Sequence, residues 1–217
     1  MKKGLFGGTF NPVHTGHVRL VTTLRSAFCL DQVIVVPTAL PPHKNVEEIA
    51  SPQDRFHMAR LAFESIPGVC VSDAEMHRPG RAYTIDTVRS FLSAEPETTS
   101  LFLILGLDSF LALHTWKSYM ALVEAVPLIV FTRTTDPASE KAEFEAFLSS
   151  TLSKEYTFCA ERNRYLHPSL CPIFFYSARR FDVSATDIRR RIRAGRPINM
   201  LVPERVAHYI QKKGLYI

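Results

Sequence analysis

The sequence predicts an α/β fold, a mostly parallel sheet with helices on its faces. Three observations predict it. Short apolar runs of strand length alternate with amphipathic helical stretches along the 217 residues. The first run ends in a glycine-rich turn that feeds a helix, Gly7-Gly8-Thr9-Phe10-Asn11-Pro12-Val13-His14-Thr15-Gly16-His17. A second marked helix start, Val183-Ser184-Ala185-Thr186-Asp187-Ile188-Arg189, lies near the other end of the chain.

The elements follow in order. Gly4-Leu5-Phe6 is a short strand, and a helix is expected from Val18 to about Phe28. Asp31 to Pro37 reads as a second strand, β-branched and closed by proline. Ser51-Pro52-Gln53-Asp54 opens a helix, with serine as N-cap and proline at the first helical position. Phe56, Ala59, Leu61, Ala62 and Phe63 give it an apolar face, and Pro67-Gly68 stops it. That unit reads as scaffold. Val69-Cys70-Val71 is a third strand. A helix starts around Arg81–Thr87 and runs to Pro96. Leu101 to Gly106 is fully apolar, as a central parallel strand should be. Val126 to Phe131 is another strand, followed by an acidic helix from Asp136 to about Leu152. Ser153 to Leu170 looks irregular and polar, either a surface excursion or part of a homo-oligomer contact. Pro172 to Tyr176 is the last strand. Gly195-Arg196-Pro197 ends the second marked helix, and Pro203 begins a final one.

Composition narrows the function. Hydrophobic residues at 46% and charged residues at 22% are globular proportions, and the length suits one domain, 1–217, with a helical portion over about 183–217. No apolar run spans a bilayer, and Gly7-Gly8 and Asn11-Pro12 interrupt any signal-peptide core. The four cysteines show no Cys-x-x-Cys spacing and are expected to be reduced. The cytoplasm is the expected location, with no membrane partner. A net charge of +5 and a pI near 9.1 suit nucleic acid or small anions.

The first motif suits a phosphate. Two glycines at a strand end allow a sharp turn and leave no Cβ facing a ligand. The following helix begins with free N–H groups and partial positive charge. His14 and His17, at i and i+3, share one face there. A zinc site through the same pair lacks a third ligand at a matching spacing. In the second motif Ser184 and Asp187 have capping-box spacing, with Val183 and Ile188 at the staple positions. Capping leaves Thr186 and Arg189 unexplained, and an anion held by the Ser184 and Thr186 hydroxyls explains both. Arg189, Arg190, Arg191 and Arg193, with Arg179, Arg180 and Arg196 nearby, offer a rival reading as a non-catalytic RNA- or nucleotide-binding module. No interleaved aromatics provide base stacking there, so no nucleic-acid partner is expected.

His14-Thr15-Gly16-His17 resembles the His-x-Gly-His signature of the nucleotidylyltransferase superfamily. Gly-Gly-Thr-Phe-Asn-Pro-Val-His is similar to the nicotinate-nucleotide adenylyltransferase family, though Asn11 stands where Asp is more usual. The resemblance extends to Pro41-Pro42-His43-Lys44, Tyr83-Thr84-Ile85-Asp86-Thr87, Gly106-Leu107-Asp108-Ser109, Trp116, Val183 to Arg189 and Lys213-Gly214-Leu215-Tyr216. Leu107 replaces a smaller or polar residue. What the resemblance implies is a Rossmann-like domain of nucleotidylyltransferase type that joins ATP to nicotinate mononucleotide, giving deamido-NAD and pyrophosphate. It assigns His14, His17, Lys44 and Arg189 to catalysis. Gly7, Gly8, Thr9, Phe10, Gly16, Ser184 and Thr186 would hold ATP. Thr84, Asp108, Trp116 and Arg133 would hold the mononucleotide. Mg2+ would ride on the ATP phosphates, with no protein metal cage. Nicotinamide mononucleotide or pantetheine phosphate is the alternative acceptor within the superfamily.

Overall fold

A computed structural model describes residues 1–39, 49–78, 80, 82–132, 136–178 and 183–217. The chain divides into two compact units, Met1–Phe6 with Tyr83–Arg180 and Gly7–Ala82 with Phe181–Ile217. Strand β1, Lys2–Gly8, starts in one unit and ends in the other.

In the first unit β1 lies beside β4 (Ser100–Gly106), β4 beside β5 (Leu128–Thr132), and β5 beside β8 (Ile173–Ser177), all parallel. Central parallel strands are covered on both faces, so they must be apolar throughout. β5 obeys this: all its residues, Leu128 to Thr132, are buried. Helix α3 (Thr84–Ala94) packs against α5 (Tyr119–Ala125), and α4 (Leu107–Leu111) packs against β4, β5 and α6 (Pro137–Phe147). Phe144 of α6 centres an aromatic cluster, stacked on Phe110 with ring centroids 4.9 Å apart and tilted against Phe175 at 5.0 Å. Asp136 caps α6, accepting from the Ser139 N–H. The helix stops sooner than its pattern suggests, at Phe147, and Leu148–Leu152 continues as a π-helical turn.

The segment 153–170 is the clearest departure from expectation. It contains an antiparallel hairpin, β6 (Thr157–Cys159) with β7 (Arg164–Leu166), and β7 pairs with β8. Phe158 and Tyr165 face each other across the hairpin with ring centroids 5.1 Å apart. Strands of three residues carry too little alternation to stand out from a polar segment.

In the second unit β2 (Gln32–Pro37) pairs in parallel with β3 (Val69–Val71), and the Thr38 N–H just past β2 donates to the Gly8 carbonyl at 2.9 Å. Helix α1 (Thr15–Ala27) packs on β2; α2 (Pro52–Phe63) packs on β2, β3 and α8 (Glu204–Lys213). The Ser51 N-cap accepts from the Asp54 N–H at 3.0 Å, as its sequence position dictates. The buried face of α2 is Arg55, Met58, Ala59, Ala62 and Phe63; Phe56 and Leu61 are only half-buried. Helix α7 (Ala185–Arg193) ends at Gly195, whose φ of 63° is left-handed. Among the described residues no helix is long and apolar enough to cross a membrane.

Candidate functional site

The first motif forms the start of α1. Gly7 is exposed, and a Cβ there would meet nothing within 4 Å. Gly8 is glycine for a different reason: a Cβ would sit 2.9 Å from the Phe10 ring. Phe10 folds back over it with φ 48°, and its ring is buried. The helix begins at Thr15, three residues before the expected Val18, so His14 is the N-cap and His17 the third helical residue. Their rings stack, with centroids 3.7 Å apart and planes at 27°. Phe10 meets His17 edge-on at 5.1 Å. The His14 main-chain N–H donates to His17 Nδ1 at 3.2 Å. A backbone N–H can only donate, so Nδ1 carries a lone pair and the ring proton of His17 resides on Nε2. His17 thus carries its ring N–H donor at Nε2.

The expectation of free first-turn amides needs correction. The Thr15 N–H is taken by the Leu201 carbonyl at 2.9 Å, and the Thr15 hydroxyl donates to the same oxygen at 3.0 Å. A loop preceding α8 therefore covers part of the helix start.

At α7, Ser184 caps as expected, its Oγ accepting from the Asp187 N–H at 3.1 Å. The reciprocal half of the capping box is replaced. The Asp187 carboxylate accepts from Arg190 Nη2 and, at 2.9 Å, from Arg191 Nε. Hydrogen bonds from Arg191 and then Arg190 hold that carboxyl below the usual carboxylate range. Two of the clustered arginines are thereby occupied on the helix surface, while Ser184 and Thr186 stay exposed. Arg189 points elsewhere: its Nη1 donates to the Asn11 carbonyl at 2.9 Å. This bond joins the two signatures, 178 residues apart in sequence.

Asn11 is the node of a wider network. It is buried, and its Oδ1 accepts from the Ala50 N–H at 3.0 Å and the Tyr216 hydroxyl at 2.9 Å. Beside it lies Arg55, only 1% exposed. The Arg55 guanidinium donates to the carbonyls of Ala50 (3.0 Å), Thr9 (2.9 Å), Thr38 (2.6 Å) and Ala39 (2.8 Å). One planar cation fastens the glycine-rich loop to the end of β2 and the entry of α2.

Thr84, Asp108 and Trp116 belong to the first unit. Thr84 is the first residue of α3, half-buried, and Tyr83 rather than Thr84 is the N-cap. Lys117 Nζ lies 4.4 Å over the Tyr83 ring centroid and 3.2 Å from Asp86 Oδ2. Asp108 is exposed in the first turn of α4, where Gly106, not Asp108, is the N-cap. A Cβ on Gly106 would sit 2.6 Å from Asp108 Oδ1, so this glycine makes room for the carboxylate. Trp116 closes the 3-10 turn Leu113–Thr115 and is half-buried. Lys44 and Arg133 lie outside the described residues.

The cytidylyltransferase-like family model matches residues 5–191. A probable nicotinate-nucleotide adenylyltransferase of Geobacter metallireducens is 38% identical over 100% of this chain and 98% of its own length. One of the same name from Desulfatibacillum aliphaticivorans is 37% identical, with 100% of both chains covered. The chain belongs to the nicotinate-nucleotide adenylyltransferase family. Its fold matches that of Plasmodium falciparum nicotinic acid mononucleotide adenylyltransferase complexed with NaAD, with a TM-score of 0.73 at 15% identity, covering 99% of this chain and 97% of that one. The complex of the same enzyme with APC gives a TM-score of 0.72, covering 99% and 96%.

Within this adenylyltransferase, sequence reasoning missed Arg55, Tyr216 and the Leu201 carbonyl. Arg55 did leave a signal: it occupies a core position one helical turn before Met58 and Ala59, where an apolar residue belongs. A main-chain carbonyl leaves none.

Proposed function

We propose that this family member transfers AMP from ATP to nicotinate mononucleotide, releasing pyrophosphate and forming deamido-NAD in NAD biosynthesis. The observation that carries the reading is the Arg189–Asn11 bond, because it sets the basic start of α7 against the His14–His17 loop. The acceptor's phosphate monoester has a second pKa of about 6, so it attacks the α-phosphorus of ATP as an anion without a general base. The attacking oxygen forms a P–O bond, the bond to the β-phosphate breaks, and pyrophosphate leaves. Catalysis then requires alignment and positive charge, which we assign to His14, His17, Lys44 and Arg189. Gly7, Gly8, Thr9, Phe10, Gly16, Ser184 and Thr186 line the ATP side. Thr84, Asp108, Trp116 and Arg133 serve the mononucleotide, Trp116 by stacking on the pyridine ring. The chain would work as one nucleotidylyltransferase domain in the cytoplasm.

Among the described residues no three His, Cys, Asp or Glu side chains group as a metal cage. A magnesium ion would ride on the ATP phosphate oxygens, where it would offset the charge of the triphosphate. Pyrophosphate release measured in parallel with nicotinate mononucleotide, nicotinamide mononucleotide and pantetheine phosphate tests the reading. The highest kcat/KM should belong to nicotinate mononucleotide; a higher value for either competitor would replace the proposed acceptor.

A further inference from the structure

The C-terminal tail makes contacts that the proposed chemistry does not use. After α8 the chain turns back at Gly214, φ 59°, and again at Tyr216, φ 68°. A non-glycine residue held left-handed is strained, so its surroundings must compensate. For Tyr216 that compensation includes partial burial and the bond from its hydroxyl to Asn11 Oδ1 at 2.9 Å. The Leu215 N–H, donating to the Ile210 carbonyl at 3.1 Å, locks the turn that delivers the ring.

The receiving end is equally defined. The Ala50 N–H, a pure donor, fixes which atom of the Asn11 amide is the oxygen. With both donors seated on Oδ1, Asn11 is held from two sides, and its main-chain carbonyl faces Arg189 Nη1. The phenol stays protonated and hence a donor: burial raises its pKa well above the ordinary tyrosine value, although the Arg189 and Arg55 guanidiniums pull it down.

We propose that Tyr216 is a positioning residue for ATP: its hydroxyl holds Asn11 in the pose whose carbonyl aims Arg189 at the triphosphate. The inference rests on the reading that Arg189 meets ATP phosphates. It assigns the tail a role in nucleotide affinity and none in acceptor recognition.

The test measures steady-state pyrophosphate release and the Kd of a non-hydrolysable ATP analogue by equilibrium dialysis. Y216F deletes one oxygen. It should raise KM for ATP and the analogue Kd three- to tenfold, the loss of about one hydrogen bond, while KM for nicotinate mononucleotide stays within twofold. Removal of Tyr216 and Ile217 should do the same. In an R189A background, Y216F should add less than twofold to the analogue Kd, because the group it aims is gone. A purely structural tyrosine would instead weaken binding equally in both backgrounds, and that result overturns the proposal. So does an unchanged analogue Kd in Y216F. A wild-type protein that binds the analogue yet turns over no nicotinate mononucleotide refutes the acceptor assignment alone, and the Kd comparison still decides the role of Tyr216. A wild-type protein that fails to bind the analogue overturns both.

Discussion

Replacing Arg55 is the most direct test of how the glycine-rich loop is held. Its guanidinium makes four hydrogen bonds to main-chain carbonyls, at 2.6 to 3.0 Å. Bonds from a charged donor contribute about 1.5–3 kcal/mol each, so the gross loss on truncation is roughly 6–12 kcal/mol. Removing the side chain also relieves the burial of a cation, which costs several kcal/mol. Burial lowers the Arg55 pKa, while Tyr216 and Glu75 oppose that shift. The net expectation for Arg55→Met, which keeps much of the aliphatic stem, is a loss of about 3–5 kcal/mol. For a chain of this length that lowers Tm by roughly 10–15 °C. Arg55→Lys should recover only part of the loss, because an ammonium on a single-ended stem cannot span carbonyls from three segments. Urea unfolding followed by circular dichroism gives the free energies. A loss below about 1 kcal/mol in Arg55→Met would refute the argument, since buried carbonyls stripped of donors cannot be that inexpensive.

Three further outcomes follow from the site. His17→Ala should lower kcat by about 10²-fold with the fold intact, by analogy with other lost transition-state donors; imidazole 15N spectra of the wild type should show His17 protonated on Nε2, and a proton on Nδ1 would contradict the hydrogen bond from His14. Nicotinate mononucleotide should quench Trp116 fluorescence, and Trp116→Ala should raise its KM by about fivefold or more, as stacking of roughly 1–3 kcal/mol implies; unchanged emission at saturation would exclude stacking. Asp54 should make stability fall in acid. Burial pushes its carboxyl up, yet hydrogen bonds from Ser51 and Tyr209 outweigh this and leave its pKa lowered. A lowered folded pKa means the contribution is present above the unfolded value of about 3.9 and is lost as pH drops through the folded one. Denaturation between pH 2 and 6 should show this slope in the wild type and a flatter one in Asp54→Ala.

Features written locally were legible in the sequence. The start of α2 follows from Ser51-Pro52, the start of α7 from Ser184, and β3 from three β-favouring residues closed by a turn. The two motifs, read separately as anion sites and expected to converge, are joined by the Arg189–Asn11 bond. What escaped reading depends on partners distant along the chain. The Thr15 amide looks free until Leu201 is seen to accept from it. Arg55 looks like a surface charge until the carbonyls of Thr9, Thr38 and Ala39 enclose it. The need for glycine at position 8 is hidden until the Phe10 ring lies over it. The β6–β7 hairpin escaped for another reason, since its short strands, Thr157–Cys159 and Arg164–Leu166, lie in a polar segment and lack the apolar run that marks β3.

The Asn11 node also bears on the order of folding. Its partners Arg189 and Tyr216 are 178 and 205 positions away, and the Leu201 carbonyl lies 186 from Thr15. Contacts of such span pay a large loop-closure entropy before they return any enthalpy. During synthesis the amino-terminal segment leaves the ribosome long before those partners exist. Nucleotide-binding competence should therefore arrive last, after translation passes Tyr216, and a nascent chain stalled before α7 should retain no immobilised ATP analogue.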